Sequence, residues 1–185
     1  MRVIAGTLKG RSIKAVPGTS TRPTTDKVKE AMFNVIGPFF ERGSALDLFA
    51  GSGSLGIEAL SRGMDDVIFV DRHPKAIETI RENVNACGLE EQVEVYRNDA
   101  MRALKAVIKR ELTFSVIFLD PPYQKVKLKP FIDQIVEANL VEVGGYLVTE
   151  HAAEKELVEQ IANFERIKHE DYNKTTAISI YQRVE

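Results

Sequence analysis

The sequence predicts an α/β fold in which a mostly parallel sheet of seven strands is covered by helices and ends in a reversed strand. From residue 44 onward, short apolar runs rich in β-branched residues alternate with segments of helical period, the pattern of a parallel sheet with helical crossovers. The last two apolar runs are joined by a turn-prone segment instead of a helix, which predicts an antiparallel pair. A glycine-rich turn follows the first strand, where nucleotides bind in such sheets.

The boundaries of the core elements follow from these patterns. Strands are predicted at 45–49, 66–71, 92–96, 114–119 and 144–150, with helices near 54–62, 75–86, 99–109, 130–140 and 153–163. Pro74 can begin the second of these helices and Gly88 can end it. Two further strands, 165–171 and 175–182, are joined by the turn-prone Tyr172-Asn173-Lys174. The tail is therefore expected to add an antiparallel hairpin at the edge of the sheet.

A small amino-terminal segment precedes this core. Residues 2–5 and 12–16 flank Gly6–Arg11, a pattern that predicts a hairpin with basic residues at its tip. A helix is then predicted to begin at Pro23-Thr24-Thr25-Asp26 and to end at Gly37-Pro38. Its apolar face is predicted to consist of Val28, Ala31, Met32, Val35 and Ile36. The segment is therefore expected to be folded.

Length and composition limit the class of protein. With 185 residues, 44% of them hydrophobic, the chain can bury one sizeable core. We expect a single domain over residues 1–185, made of an amino-terminal arm (1–38) and a core (44–185). The single cysteine, Cys87, excludes an internal disulfide, and the three histidines lack the spacing of a zinc site. These residues predict a metal-free protein. Because no apolar run is long enough for a signal peptide or a membrane span, we also expect a cytoplasmic protein without a membrane partner.

The formal net charge of −2 hides an uneven distribution of charge along the chain. Residues 1–29 contain seven basic residues and one acidic residue, so the rest of the chain is strongly acidic. A basic arm on an acidic body suits a protein whose one face meets phosphates. A basic terminus that is exposed to solvent and binds no partner would have the same numbers of basic and acidic residues. The arm thus permits, but does not by itself establish, a nucleic-acid partner.

The glycine-rich turn, Gly51-x-Gly53-x-x-Gly56, lies between the first predicted strand and its helix. Its glycines allow a tight turn and a close approach of a ligand to the backbone. Asp71 ends the next strand, where a carboxylate can accept hydrogen bonds from both hydroxyls of a ribose. Asp99 follows the third strand, where it can accept from an adenine amino group or cap the next helix. This arrangement predicts an adenosine-containing ligand.

Asp47 discriminates between a nicotinamide dinucleotide and S-adenosylmethionine, the two adenosine ligands that the pattern allows. It lies within the first strand, just before the glycine turn. A carboxylate there can hold the turn or attract the amino group of a methionyl moiety, but it would repel a pyrophosphate. The sequence therefore favours S-adenosylmethionine over the cofactor of an NAD-dependent oxidoreductase.

The fourth predicted strand leads into Asp120-Pro121-Pro122-Tyr123. An exocyclic amine of a nucleobase is a poor nucleophile because its lone pair is delocalised into the ring. Asp120 and a backbone carbonyl of the proline pair can accept its two N–H bonds and hold it in line with a methyl donor. Tyr123 can stack on a base that is turned out of its helix. The turn predicts methyl transfer to an amino nitrogen of an unspecified base.

The chain resembles the RsmD family, bacterial methyltransferases that modify guanine N2 in 16S ribosomal RNA. The resemblance rests on Asp47–Gly53, on Asp120–Tyr123 and on Arg22–Phe33, and extends to Arg2–Gly6 and Leu55–Gly63. It implies a Rossmann-like class I S-adenosylmethionine-dependent methyltransferase fold. It also implies 16S ribosomal RNA as the partner, within the small ribosomal subunit or an assembly intermediate. The family often has arginine where this chain has Lys27 and Lys29, and glutamate where it has Asp71, so the charges are kept.

Three groups of site residues are predicted. The reaction centre consists of Asp120, Pro121, Pro122 and Tyr123. The residues expected to contact S-adenosylmethionine are Thr25, Asp47, Phe49, Ala50, Gly51, Ser52, Gly53, Asp71, Arg72, Asp99 and Ala100. The residues expected to contact RNA are Arg2, Lys9, Arg11, Arg22 and Lys27.

Two alternatives to a ribosomal RNA guanine-N2 methyltransferase stay open. One is an enzyme that methylates adenine N6 or cytosine N4 in DNA or in another RNA. Sequence-specific DNA enzymes generally add a recognition domain to read bases, and the core and the arm use all 185 residues. The other is a non-catalytic nucleotide-binding domain, which would leave the intact reaction tetrapeptide beside an intact cofactor turn unexplained.

Overall fold

The computed structural model describes residues 1–18, 24–122, 126–153 and 160–185. Its strands are β1 (Ser44–Asp47), β2 (Asp66–Asp71), β3 (Val93–Arg97), β4 (Phe114–Leu119), β5 (Val141–Ala152), β6 (Gln160–Ile161), β7 (Phe164–Asp171) and β8 (Thr176–Arg183). Its α-helices are α1 (Asp26–Ile36), α2 (Ser54–Ser61), α3 (Pro74–Ala86), α4 (Ala100–Lys109) and α5 (Lys129–Glu137). No helix among these described residues is long and apolar enough to cross a bilayer.

All the described strands join one sheet in the order β3-β2-β1-β4-β5-β8-β7-β6. Strands β1 to β5 pair in parallel, whereas β8 is antiparallel to β5, β7 to β8 and β6 to β7. The chain order reverses between β1 and β4, and ligands of open α/β sheets bind at the carboxyl ends of the strands beside such a reversal. The fold is the predicted Rossmann-like class I methyltransferase fold.

Two apolar clusters hold the helices against the sheet. On one face, side chains of α1, α2 and α3 pack with Phe69 of β2 and Phe118 of β4. On the other face, α4 and α5 pack with Leu46 of β1 and Ile117 of β4. Because the central strands are covered on both faces, they are almost continuously apolar. The polar residues that interrupt this pattern lie at the ends of the strands.

The carboxyl-terminal part of the sheet differs from the prediction in two respects. The described residues form eight strands instead of seven, because the short β6 pairs with β7 through Ile161 and Phe164. The helix predicted over 153–163 is wrong for 160–163, where Ala162 has a φ of +44° and turns the chain between the two strands. Residues 154–159 lie outside the described ranges. The predicted tail hairpin is confirmed by the pairing of β7 with β8.

The amino-terminal hairpin forms as predicted, but its pairing is brief. Arg2 and Ser12 make a single antiparallel bridge, flanked by bonds from the Val3 amide to the Arg11 carbonyl and from the Ile13 amide to the Met1 carbonyl. Val3 and Ile13 are buried against the core. The hairpin is therefore held by docking on the rest of the molecule more than by its own hydrogen bonds.

Helix α1 begins after Thr25, whose side chain accepts a hydrogen bond from the Val28 amide. Its predicted apolar face was only partly right. The fully buried side chains are Lys29, Met32, Phe33 and Ile36, whereas Val28, Ala31 and Val35 are half-buried. Lys29 also does not belong to the exposed basic surface of the arm, because it is completely buried. A buried ammonium group requires a partner of opposite charge.

Glu58 of α2 is that partner and ties the arm to the core. It lies 3.4 Å from the Lys29 ammonium and 2.8 Å from the Arg62 guanidinium. It also accepts hydrogen bonds from the backbone amides of Ile4 and Ala5 in the arm. Burial lowers the pKa of Lys29, and the Glu58 charge opposes this shift. Glu58 itself is completely buried, so the arm is fixed by a polar cluster inside the molecule.

Candidate active site

The candidate site lies where β1 and β4 end side by side. Asp47 pairs in register with Phe118, and Asp120 follows two residues later in the chain. On the far side of β4, Leu119 pairs with Thr149 of β5. One step further along these two strands, Asp120 and Glu150 are therefore neighbours. The sheet thus brings three carboxyl groups to one edge.

The glycine turn has the conformation that its sequence predicts. Gly51 and Gly53 have φ values of +57° and +84°, which side chains rarely permit. The Gly53 amide donates to the Ala50 carbonyl and closes the turn. Gly56 lies against the ring of Phe69, where an added Cβ would be 2.2 Å from a ring carbon. The first two glycines therefore shape the turn, and the third lets α2 pack closely on β2.

Asp71, at the end of β2, holds this turn from the side. One of its carboxylate oxygens accepts from the Gly51 amide at 2.9 Å, and the other accepts from the His73 amide at 3.0 Å. Each oxygen retains capacity for another hydrogen bond. The hydrogen-bond support of the turn thus comes from Asp71, and Asp71 can still bind ribose hydroxyls.

Asp47 is buried without a hydrogen-bond partner among the residues that the structure describes. It is 1% exposed, and neither carboxylate oxygen makes a hydrogen bond. Burial raises the pKa of Asp47 to about 7, and the negative charge of Asp71 adds to the shift; the nearby amides of Gly56 and Phe49 oppose it. An unpaired buried carboxyl group is costly. Because the amides of Gly56 and Phe49 favour the ionised form of Asp47, both predicted roles of its charge, holding the turn and attracting a cation, stay predictions.

Asp120 forms an acid pair with Glu150. The pKa of Asp120 is raised well above its usual range, first by loss of hydration and then by the charge of Glu150 and a hydrogen bond to it; Asp47 adds to the shift. The Thr24 hydroxyl reaches both carboxyl groups, at 3.5 Å from Asp120 and 3.4 Å from Glu150. Thr24, just before α1, thus connects the arm to the reaction centre.

The remaining predicted site residues differ in their surroundings. Phe49 packs edge to face on Phe131, with ring centres 5.4 Å apart. Asp99 caps α4 by accepting from the Arg102 amide, and Thr25 caps α1. Among the others, Ala50, Ala100 and Pro121 are buried, Ser52 and Pro122 are half-buried, and Arg72, Arg2, Lys9, Arg11 and Lys27 are exposed. Tyr123 and Arg22 lie outside the described residues.

Comparison with known proteins identifies the family. The family described as conserved hypothetical protein 95 matches residues 1–182. The chain belongs to this family, the RsmD family. YlbH of Bacillus subtilis, whose name assigns it provisionally to the rRNA methyltransferases, is 55% identical over 183 residues, which span 99% of both chains. The ribosomal RNA small subunit methyltransferase D of Haemophilus influenzae is 33% identical over 98% of this chain and 92% of its own length.

A solved structure shows the same fold in a relative of this RsmD-family chain. The Escherichia coli protein yhhF, titled provisionally as a methyltransferase, superposes with a TM-score of 0.84 at 27% identity. The match covers 100% of this chain and 98% of the other. The resemblance recognised in the motifs therefore extends over the entire fold, including the arm and the reversed strands.

Thr24, at the predicted start of α1, and two residues that the sequence did not single out, Glu150 and Asn83, make long-range contacts at the site of this RsmD-family chain. Thr24 and Glu150 contact Asp120 directly. The side chain of Asn83 donates to the carbonyls of Lys14 in the arm and Ser52 in the glycine turn. An acid at the carboxyl end of a predicted strand was a usable signal for Glu150. For Asn83 no local signal exists, because its partners are distant in the sequence.

Proposed function

We propose that this chain transfers a methyl group from S-adenosylmethionine to the exocyclic N2 amine of a guanine in 16S ribosomal RNA. The observation that carries the proposal is the buried, unpaired Asp47 next to Asp120 at the end of the central strands. The names of the two relatives support rRNA methylation, and that of the Haemophilus influenzae protein supports the small subunit. The choice of guanine N2 rests on the resemblance to the RsmD family.

The residues of the site fit S-adenosylmethionine better than a dinucleotide. The carboxyl group of Asp47 has no side-chain partner among the described residues and would pair with the amino group of the methionyl part. Asp71 would bind the ribose, the backbone at Gly51 to Gly53 would lie along the ligand, and Asp99 would face the adenine. A pyrophosphate would instead meet the charges of Asp47 and Asp71. When bound, S-adenosylmethionine supplies an electrophilic methyl group on a positively charged sulfur.

The reaction centre would act mainly by orientation. Asp120 and a backbone carbonyl of Pro121 or Pro122 would accept the N–H bonds of the target amine and hold its lone pair toward the methyl group. Tyr123 would stack on the base. In this proposal Arg2, Lys9, Arg11, Arg22 and Lys27 contact the phosphates of the RNA, either free or within the small subunit or an assembly intermediate. The arm and the core would act together as one domain over residues 1–185.

A transfer assay with purified protein tests the proposal. Labelled S-adenosylmethionine is incubated with 16S ribosomal RNA, small-subunit particles or DNA, and the modified nucleosides are identified. We expect N2-methylguanosine in the RNA from the wild-type protein and loss of transfer in Asp120→Ala. S-adenosylmethionine, but not NAD, should raise the melting temperature of both proteins.

The matched control is Asp133→Ala, which removes an exposed carboxylate on α5 that pairs with Lys129. It should transfer methyl groups at the wild-type rate. Near-normal turnover of Asp120→Ala would refute the proposed role of the turn. Methylated adenine or cytosine in place of guanine would refute the proposed target.

A further inference from the structure

The acid pair of Asp120 and Glu150 bears on how the site handles protons. The inference drawn from it rests on the proposed amino-methyltransferase function. Glu150 is distant from Asp120 in the sequence but lies next to it in the sheet, because the residues that precede them, Thr149 and Leu119, are partners on adjacent parallel strands. Glu150 is 8% exposed. The Thr24 hydroxyl lies within 3.5 Å of both carboxyl groups, and two carboxyl groups this close can hydrogen-bond to each other only when one of them holds a proton, since two carboxylates offer only acceptors.

The surroundings favour retention of that proton. Within the described residues, the groups that act on Asp120 are Glu150, Asp47 and Thr24, and only the neutral Thr24 hydroxyl favours the ionised form. That hydroxyl has one proton to donate, so it can serve only one of the two carboxyl groups at a time. The negative charge of Asp71 raises the pKa of Asp47, and the charge of Asp47 in turn raises the pKa of Asp120. On the β8 side, Glu150 pairs in register with the apolar Ile178.

We propose that Glu150 is the second half of the reaction centre: it shares one proton with Asp120 before reaction and receives, with Asp120, the proton that the methylated amine releases. In that step the nitrogen lone pair forms the new N–C bond. The C–S bond of the donor breaks, and its electron pair stays on sulfur. The alkylated nitrogen then loses one proton to the pair, which passes from one proton and one negative charge to two protons and no charge. The proton later leaves to water.

This arrangement gives the proton released by a weak nucleophile an acceptor within the partly buried site. Asp120 would touch the amine, whereas Glu150 acts through Asp120 and is a positioning residue in this sense. The pair accepts a proton without creating charge in a low-dielectric region. General bases contribute about 10²- to 10⁴-fold to enzymatic rates, so loss of one partner should be measurable.

Glu150→Gln tests the proposal, because glutamine keeps the size of the side chain but cannot bind the shared proton. We expect the single-turnover rate of methyl transfer to fall at least tenfold, while the KM for S-adenosylmethionine changes less than twofold. The limb of the pH–rate profile at which the pair loses its shared proton should disappear, because glutamine cannot ionise and Asp120 then titrates without a second carboxyl group. Glu150→Asp should recover part of the rate. Glu142→Gln, an exposed change on the same strand, should match the wild type.

A measurement without substrate separates this inference from the proposed function. A carboxyl group whose pKa is raised by folding stabilises the protein at low pH, and this stabilisation is lost as the pH rises through the folded value. The melting temperature of the wild type should therefore fall more steeply between pH 5 and pH 9, on the order of several degrees, than that of Glu150→Gln. Asp47 titrates in both proteins, so the difference isolates the pair.

Two results would overturn the inference: wild-type rates in Glu150→Gln at every pH, or parallel melting curves for the two proteins. Absence of methyl transfer by the wild-type protein would instead count against the proposed function, and the melting curves would still decide whether Asp120 and Glu150 share a proton.

Discussion

At the scale of single residues, Asp47 combines complete burial with the absence of a partner among the described residues. Its pKa is about 7 in the folded chain, against an ordinary value of 3.8. The folded state therefore retains a proton that the unfolded chain releases, and the free energy of unfolding falls as the pH rises from about 4 to 7. The loss is at most about 1.4 kcal/mol per pH unit.

Asp47→Asn should remove this contribution. Thermal melts from pH 4 to pH 8 should show a shallower decline for the variant than for the wild type, because asparagine does not ionise. The affinity for S-adenosylmethionine should rise with pH through 7 in the wild type, as Asp47 acquires the charge that attracts an amino group, but not in the variant. Equal pH dependence of affinity in the two proteins would contradict the assignment of Asp47 to the amino group.

The site residues that the sequence predicted have roles that depend on nearby residues in the chain. Gly51, Gly53 and Asp71 could be recognised because their roles depend on backbone conformation and on the order of strand, turn and strand. The contacts of Glu150 and Thr24 with Asp120 could not be predicted, because they depend on the register of β5 and on the docking of the arm. Such long-range neighbours are set by the packing of the entire sheet, which no local pattern reports.

At the scale of elements, the arm is attached through α2. Glu58 binds the buried cations Lys29 and Arg62 and two backbone amides of the arm. The close approach at Gly6, where an added Cβ would lie 1.9 Å from the Ser61 carbonyl oxygen, shows how tightly the hairpin is docked on this helix. The arm should therefore unfold together with the core instead of fraying from it.

Glu58→Gln should destabilise the protein by about 3–5 kcal/mol, because Arg62 would remain buried without a full counter-charge. For a chain of this size, this corresponds to a fall in melting temperature on the order of 10 °C. The control is Glu82→Gln, which breaks the exposed pair with Lys14 and should cost less than about 1 kcal/mol. Equal melting temperatures for both variants would show that the polar cluster does not fix the arm.

The sequence predicted helix α1 but only part of its buried face. Apolar spacing favoured Val28 and Val35, whereas the structure buries Lys29 and Phe33 completely. A lysine is expected at the surface unless a partner is known, and Glu58 is 29 residues away in the chain. The helix predicted over 153–163 failed for a related reason, since the short pairing of β6 with β7 overrides the local pattern at 160–163.

At the scale of the whole molecule, α3 connects the basic hairpin to the glycine turn. Arg11 donates to the carbonyl of Ala86, the last residue of α3. Asn83, about one turn earlier in that helix, donates to the carbonyls of Lys14 in the arm and Ser52 in the glycine turn. The basic hairpin is therefore anchored beside the predicted cofactor turn, and its exposed cations can extend the surface that meets RNA.

Replacing Lys9 and Arg11 together with alanine should weaken RNA binding and reduce the slope of log affinity against log salt by between about 1 and 2. The single-turnover rate at saturating RNA should stay unchanged, because neither residue is near Asp120. The control replaces Lys105 and Lys109, exposed cations on α4 across the sheet, and should keep the wild-type slope. A wild-type slope of log affinity against log salt in the hairpin variant would mean that Lys9 and Arg11 do not contact the RNA.

The central claim, that the Asp120 turn methylates guanine N2 in small-subunit ribosomal RNA, is tested most directly in cells that lack this protein. Nucleosides of their 16S ribosomal RNA are mapped by mass spectrometry, with and without expression of the wild-type chain or of Asp120→Ala. We predict that one N2-methylguanosine is missing, that the wild-type chain restores it and that Asp120→Ala does not. A complete set of N2-methylguanosines in the deleted cells, or restoration by Asp120→Ala, would contradict the claim.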